Sequence, residues 1–261
     1  MQYKTNSELK NNAKIKMTGN YGTVILAMLV VTISIWVIQF PFLIVNYAIG
    51  MILSSLRLSE DVVNTVGNVF SYGVDFFISF INAMFRLGIS LIFLQIACGK
   101  RFSTSDLFFG FKWQVPKNIR ISLIFTCINW VCMLPYYIYA NVHPNFLSSE
   151  VSIRYILLLS GGSIAYTLLT IPLTQAHFLL LDFPNKDAKE VLLLSIEKMK
   201  GHYFRYLKML ISFIPMWILA FLSFGIAVFW LIPYMNATRA MFFLDLMNPG
   251  KESESESELP G

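Results

Sequence analysis

The sequence is poor in charged residues. Only 13% of its 261 residues are Asp, Glu, Lys or Arg, whereas 56% are hydrophobic and the mean hydropathy is +0.61. Soluble domains carry roughly 25% charged residues. The shortage of charge excludes a soluble enzyme, and the excess of apolar residues excludes a disordered chain. The composition therefore predicts a multi-pass membrane protein.

Cysteine is scarce, and the common catalytic motifs are missing. Cys98, Cys127 and Cys132 lie in or beside apolar segments and have no CxxC spacing, which argues against a disulfide framework or a zinc site. The sequence contains no HExxH, no GxSxG and no Gly-rich phosphate loop. We predict no catalytic residue, no metal site and no cofactor, and an enzyme is the least favoured class of function.

Long hydrophobic runs set the predicted fold. A bilayer core about 30 Å thick needs about 20 apolar residues per helix, and five stretches meet this length. A sixth span results if the run from Phe204 to Leu246 is divided at Gly225. The fold class is therefore all-α, a polytopic membrane helical bundle with six spans or, as the alternative, five. The spans are expected near 21–43, 72–97, 119–140, 155–181, 204–223 and 226–246.

The predicted domain organisation is simple. Residues 1–20 form an N-terminal amphipathic segment, residues 21–246 a single transmembrane bundle, and residues 247–261 an acidic tail. The tail reads MNPGKESESESELPG from Met247, and such a sequence cannot bury enough apolar surface to fold. We therefore expect the tail to be disordered.

Basic residues are concentrated in alternate connections. The N-terminus, the second-to-third connection and the fourth-to-fifth connection are rich in Lys and Arg, whereas the other connections show only Arg57 and Arg154. Cytoplasmic loops of membrane proteins carry the excess of Lys and Arg. We predict a cell-membrane protein with a cytoplasmic N-terminus. No basic run is interleaved with aromatic residues, so nucleic acid is not an expected partner.

The cytoplasmic connections show helical patterns and an internal repeat. Residues 187–200 predict an amphipathic helix ended by Gly201, residues 5–18 a weaker one, and residues 103–112 a short one. The pattern K-M-x-G-x-Y occurs at 16–21 and again at 198–203, each time directly before a predicted span. It suggests a repeated unit of one interfacial helix followed by two spans.

Polar residues inside the second span form the first candidate site, an intramembrane polar site. Asp75, Asn82 and Arg86 share one helix face because, together with Ser79 and Ser90, they follow one another at steps of three or four residues. Arg86 lies near mid-depth and needs a partner on another span, a backbone carbonyl or water. Two interpretations stay open: a water-accessible path or an anion site with Arg86 as its charge, or a polar clamp between helices.

A second candidate site is a polar cluster at the predicted cytoplasmic face. These residues fall near span ends, where they could converge or anchor the helices, and their spacing does not suggest a metal site. The members are His177, Asp182, His202, Arg239 and Asp245.

Both ends of the chain resemble a known family. The motifs that carry the resemblance are Ser7-Glu8-Leu9-Lys10, Gly19-Asn20-Tyr21, Trp230-Leu231-Ile232-Pro233-Tyr234 and Asp245-Leu246. They resemble a bacterial multi-pass membrane family known as domain of unknown function 975. The resemblance implies a six-span membrane protein with no established biochemical activity.

Two function hypotheses follow. The first is a non-enzymatic scaffold or binding protein whose cytoplasmic interfacial helices engage lipid or a partner protein. Its partners would be the lipid bilayer together with anionic headgroups or a partner membrane protein. The alternative is a small-solute or ion transporter whose route is lined by the polar face of the second span.

Overall fold

A computed structural model describes residues 3–57, 59–142 and 149–249, and within these ranges the chain is helical and contains no strand. Two short segments are 3-10 helices, Thr104–Phe111 and Ile171–Leu173. The predicted tail falls almost entirely outside the described residues. The α-helices are α1 Asn6–Met17, α2 Tyr21–Ser55, α3 Glu60–Ala97, α4 Val115–Val142, α5 Ser149–Thr170, α6 Ala176–Asp182, α7 Ala188–Met199, α8 Tyr203–Ile211, α9 Ile214–Leu222 and α10 Val228–Met247.

Five helical segments of the described chain are long and apolar enough to cross a membrane. The segments are Tyr21–Ser55, Val62–Ala97, Val115–Val142, Ser152–Asp182 and Tyr203–Leu222. The helical bundle predicted from composition is therefore confirmed.

The first two helices extend beyond the spans expected from bilayer thickness. α2 continues past Pro41 to Ser55, and α3 begins at Glu60. An apolar run follows Pro41, and neighbouring groups in membrane helices can satisfy the carbonyl that a proline leaves without its usual donor. The long connection expected between these two spans is consequently reduced to a few residues.

α10 occupies the position of the expected sixth span. It is 20 residues long, but it is not among the five segments that meet the length and hydropathy requirements. Its second half carries Arg239 and Asp245, and that half is largely buried by contacts with other parts of the protein, including α1.

The chain divides into two compact units. The first contains the described residues of Met1–Leu29, Phe85–Asn118 and Ile171–Gly261. Its buried side chains come from the short helices as well as from the ends of the long ones. Fully buried examples are Leu9, Met17, Phe93, Leu107, Met199 and Phe242.

The second unit contains Val30–Met84 and the described residues of Ile119–Thr170. Many of its large apolar side chains are exposed, among them Trp36, Phe40 and Ile156. A soluble protein rarely exposes so continuous an apolar surface. Such a surface is what the hydrocarbon region of a bilayer covers.

The helices α1 and α7 begin in the same way. Each is 12 residues long and starts with a capping box, in which Thr5 pairs with Glu8 and Asp187 pairs with Glu190. In this motif the cap side chain and the glutamate each bond a backbone N–H that the helix leaves without a partner. Ser103 and Asp106 form a third capping box at the start of the 3-10 helix Thr104–Phe111.

The two copies of the K-M-x-G-x-Y pattern also end their helices alike. Thr18 and Lys200 have φ and ψ of −60°, 128° and −55°, 128°, and each is followed by a glycine with φ of +83° (Gly19) or +81° (Gly201). These are the angles of a type II turn, and a 2.9 Å backbone hydrogen bond closes each turn. The repeat seen in the sequence is therefore a repeat of local structure.

The 3-10 helix Thr104–Phe111 approaches α3 at Gly88. A Cβ atom added at this glycine would lie 2.7 Å from the carbonyl oxygen of Asp106 and closer still to that of Leu107. Only a residue without a side chain permits this contact between two backbones.

Candidate functional site

An ion pair connects three distant parts of the first unit. The carboxylate of Asp245 on α10 accepts a hydrogen bond from Arg205 on α8, and it also accepts one from the backbone N–H of Lys4 at 3.2 Å. The same Arg205 nitrogen donates to the backbone carbonyl of Lys4 at 2.8 Å. Arg205 and Asp245 therefore fix the segment that precedes α1. Both contacts of the guanidinium use Nη2, and its Nη1 is buried without a hydrogen-bond partner among the described residues.

Aromatic rings surround the Arg205 guanidinium. Its central carbon lies 5.1 Å from the centre of the Tyr3 ring and 4.9 Å from that of Phe242. The Tyr3 ring also packs edge-on against His202, with 4.6 Å between ring centres. An arginine that is paired and covered by rings in this way forms an interaction stronger than a solvent-exposed ion pair.

His202 lies next to this charged group. Burial lowers the pKa of His202 below its ordinary value, and the nearby Arg205 charge lowers it further, whereas Asp245 acts in the opposite direction. The effects of burial and of the Arg205 charge together exceed that of Asp245, so the pKa of His202 is lowered overall. The imidazole is therefore neutral at pH 7 and acts as an aromatic partner of Tyr3.

The other members of the predicted cluster are placed differently. Arg239 donates to Asn236 Oδ1 of its own helix at 3.4 Å, so the ionic partner of Asp245 is Arg205. Asp182 is exposed at the end of α6. Of the five predicted residues, the structure brings His202 and Asp245 to one place through Arg205.

His177 is linked to the other predicted site. It is buried on α6, and the charge of Arg86 on α3 acts on its ring. Arg86 itself is exposed. One residue from each predicted site is thus electrostatically connected within the first unit.

Asp75 and Asn82 belong to the second unit, and Arg86 does not. Asn82 is exposed and Asp75 is half-buried. Asp75 borders a pocket of about 70 Å³ whose polar lining residues are Gln39, Asn46 and Ser71. Asn46 Nδ2 donates to Ser71 Oγ at 2.5 Å and to the Gly67 carbonyl at 3.3 Å. These bonds orient the amide at the edge of the pocket.

Sequence reasoning did not identify Arg205 or Lys4 as site residues. Arg205 follows the second K-M-x-G-x-Y pattern and resembles an ordinary flanking cation there. The signal that could have found it is the carboxylate of Asp245 inside an apolar run, because a buried carboxylate requires a cation or several donors. Within the described residues, no three His, Cys, Asp or Glu side chains are grouped to hold a metal ion.

The fold defines the class of protein: a helical membrane protein with five helices long and apolar enough to cross a bilayer. The chain belongs to the family described as a protein of unknown function, DUF975, whose model matches residues 1–249. This confirms the resemblance seen at both ends of the sequence. No curated protein and no solved structure matches the chain.

Proposed function

We propose that this membrane protein is a non-enzymatic binding protein that engages anionic lipid headgroups through the lysine-bearing faces of α1 and α7. In this proposal it resides in the cell membrane with its N-terminus in the cytoplasm. The observation that carries the proposal is the division of both helices into a covered apolar side and an exposed charged side.

The apolar sides of both helices are occupied by the chain itself. Leu9, Ala13 and Met17 of α1 are at most 1% exposed, and α1 packs against α10 and α8. Val191 and Met199 of α7 are 0% exposed, and α7 packs against α6 and the 3-10 helix Ile171–Leu173. The surface left for another molecule is therefore mainly the polar one, with Ile15 and Leu193 as its exposed large apolar residues.

That remaining surface carries both signs of charge, with five exposed lysines and four exposed acids. The acids are Glu8, Asp187, Glu190 and Glu197, and Glu8 and Glu190 bond backbone N–H groups in the capping boxes. Lysines near a membrane surface gain about 1 kcal/mol each from anionic lipids. The exposed lysines of this surface are Lys14, Lys16, Lys189, Lys198 and Lys200.

The predicted orientation supports the same interaction. Positive residues favour the cytoplasmic side, and the cytoplasmic leaflet carries the anionic lipids. Both helices lead within a few residues into a membrane-spanning segment. Their lysines are therefore expected at headgroup depth.

Lipid enrichment around the protein tests the proposal. The full chain is extracted from a bilayer of equal parts phosphatidylglycerol and phosphatidylcholine in native nanodiscs, and the retained lipids are quantified by mass spectrometry. We expect phosphatidylglycerol to be enriched around the wild type. The quadruple variant K14Q/K189Q/K198Q/K200Q should lose most of the enrichment.

The matched control removes cations elsewhere. Arg57→Gln combined with Arg154→Gln neutralises the two basic residues of the opposite connections and should leave the enrichment unchanged. A wild type that retains the two lipids in their bulk ratio would refute the proposed function. Equal losses in the control and the quadruple variant would refute the assignment to α1 and α7.

The pocket beside Asp75 favours a second candidate function, a transporter. A carboxylate bordered by two amides and a hydroxyl inside a span suits a small cation or a proton, and about 70 Å³ accommodates water. A transport route requires that water reach this position from at least one side of the membrane.

Cysteine labelling tests the second candidate. Asp75→Cys is placed in a chain whose Cys98, Cys127 and Cys132 are replaced by Ser, and a membrane-impermeant maleimide is applied to intact and to opened vesicles. Labelling at position 75 would support a water-filled route. The control is Val69→Cys on the same helix, 66% exposed and expected to face lipid. Absence of labelling at 75, with a folded protein, would exclude the route.

A further inference from the structure

A basic pocket lies where α1, α2 and α3 meet in the first unit. Its volume is about 420 Å³, within the roughly 300–1,000 Å³ of small-molecule sites. The end of α1, the start of α2 and the segment after α3 form its walls. The lining residues are Lys16, Asn20, Thr23, Ile96, Gly99, Lys100, Arg101 and Phe102.

The end of α3 determines where two of the cations lie. Lys100 N–H donates to the Gln95 carbonyl at 2.8 Å and Gly99 N–H to the Ile96 carbonyl at 3.0 Å, while Gly99 has a φ of +67°. This is the Schellman motif. It ends α3 and directs Lys100 and Arg101 along the pocket wall.

The third cation comes from the other side. The ammonium group of Lys16, on the last turn of α1, would lie 3.9 Å from a Cβ atom added at Gly99. Lys16 thus lies near the α3 terminus that carries Lys100 and Arg101.

Among the residues that the structure describes, no acid balances the charges of this pocket. None of the eight lining residues is acidic, and no described acid forms an ion pair with Lys16, Lys100 or Arg101. Three like charges that converge on one cavity repel each other. An anion bound between them would relieve that repulsion.

We infer that this pocket binds a phosphate group carried on a larger anion. The planar Arg101 guanidinium and the Lys16 and Lys100 ammonium groups suit phosphate oxygens, and the Asn20 amide and Thr23 hydroxyl are neutral hydrogen-bonding groups. Ile96 and Phe102 offer an apolar wall to the carbon skeleton that bears the phosphate. This pocket is one discrete site within the proposed lipid-binding surface. The inference rests on the proposed function only where it takes a lipid as the source of the phosphate group.

Thermal unfolding of the purified full chain in a non-ionic detergent tests the site. The additives are dioctanoyl phosphatidylglycerol, dioctanoyl phosphatidylcholine and inorganic phosphate, each at constant ionic strength. A ligand that binds the folded state raises the unfolding midpoint with concentration. We expect the phosphatidylglycerol to raise it and the phosphatidylcholine to leave it unchanged.

Two variants locate the binding. K100Q/R101Q should raise the concentration of phosphatidylglycerol needed for a given shift roughly tenfold or more, because it removes two charge-assisted contacts. K16Q should act in the same direction. The control K112Q/K208Q removes two exposed cations outside the pocket and should respond like the wild type. Unliganded midpoints equal to that of the wild type show that each variant is folded.

The outcomes separate the site from the broader proposal. A shift with inorganic phosphate as large as that with the lipid supports the site and identifies free phosphate as its source. A wild-type shift with the lipid that K100Q/R101Q and K112Q/K208Q weaken equally overturns the pocket but leaves the lipid-binding function standing. No shift with any anion overturns the pocket, and the nanodisc measurement then decides the proposed function separately.

Discussion

Arg205 and Asp245, 40 residues apart in the chain, form an ion pair, and both also hydrogen-bond to the backbone of Lys4. The pair connects the start of the chain to its last helix. The aspartate side chain is 3% exposed and that of the arginine 18%. Removal of one partner therefore leaves the other largely buried without its counter-charge.

Asp245→Asn should destabilise the protein. The Arg205 charge loses its principal acceptor, and we expect a loss of about 1.5–3 kcal/mol in the free energy of unfolding. Thermal unfolding in detergent measures the change. Arg239→Gln is the matched control on the same helix. The hydrogen bond from Arg239 to Asn236 lies within one helical turn, so its loss separates no distant parts of the chain. Equal midpoints for Asp245→Asn and the wild type would contradict the importance of the pair.

Gly88→Ala should destabilise the packing of the 3-10 helix on α3. The new methyl group would overlap the carbonyl groups of Leu107 and Asp106, and backbone must move to admit it, at a cost of about 1–3 kcal/mol. Gly73→Ala on the same helix meets no atom within 4 Å and should be neutral or slightly stabilising. If both variants unfold at the same temperature, the close contact at Gly88 is not present.

The two turn glycines should respond alike. Gly19→Ala and Gly201→Ala meet no atom within 4 Å, so their cost arises from the positive φ alone and should be about 1 kcal/mol each. Gly22→Ala, at the start of α2, has the same free space but a helical backbone and provides the control. Different costs at positions 19 and 201, measured by unfolding, would show that the two turns are not equivalent.

Stability should fall on mild acidification because of His202. Burial and the Arg205 charge lower its pKa in the folded state, whereas the unfolded chain titrates near the ordinary value of about 6.5. Between these two pKa values the unfolded state binds more protons, so the contribution of His202 is present above about pH 6.5 and is lost as the pH decreases. His202→Gln should flatten the dependence of the unfolding midpoint between about pH 7.5 and 5.5. An unchanged slope in the variant would show that other groups cause it.

Local patterns in the sequence predicted the helices α1 and α7. The start of α1 is encoded by Thr5 and Glu8 and that of α7 by Asp187 and Glu190, and a glycine follows the end of each. Every one of these signals acts within a single helical turn. The prediction therefore required no knowledge of what the helices contact.

The length of α2 and the partner of Asp245 could not be read in the same way. Bilayer thickness sets a minimum length for a span, and it does not say where a continuous apolar run such as the one beyond Pro41 ends as a helix. The pairing of Asp245 with Arg205 depends on how α8 and α10 pack. Several lysines and arginines are separated from Asp245 by similar numbers of residues, so the tertiary structure decides which of them pairs with its carboxylate.

The packing of α1 against α10 has a consequence for how the protein is made. Leu9 and Met17 are synthesised before every candidate span. Of the helices that pack against α1, α8 belongs to the fifth of these spans and α10 follows all five. Until then the apolar stripe of α1 lacks these partners, a state exposed to aggregation or to chaperone capture. The packing of α1 against α10 therefore follows the synthesis of all five candidate spans, and a truncation before Val228 would leave α1 without this partner.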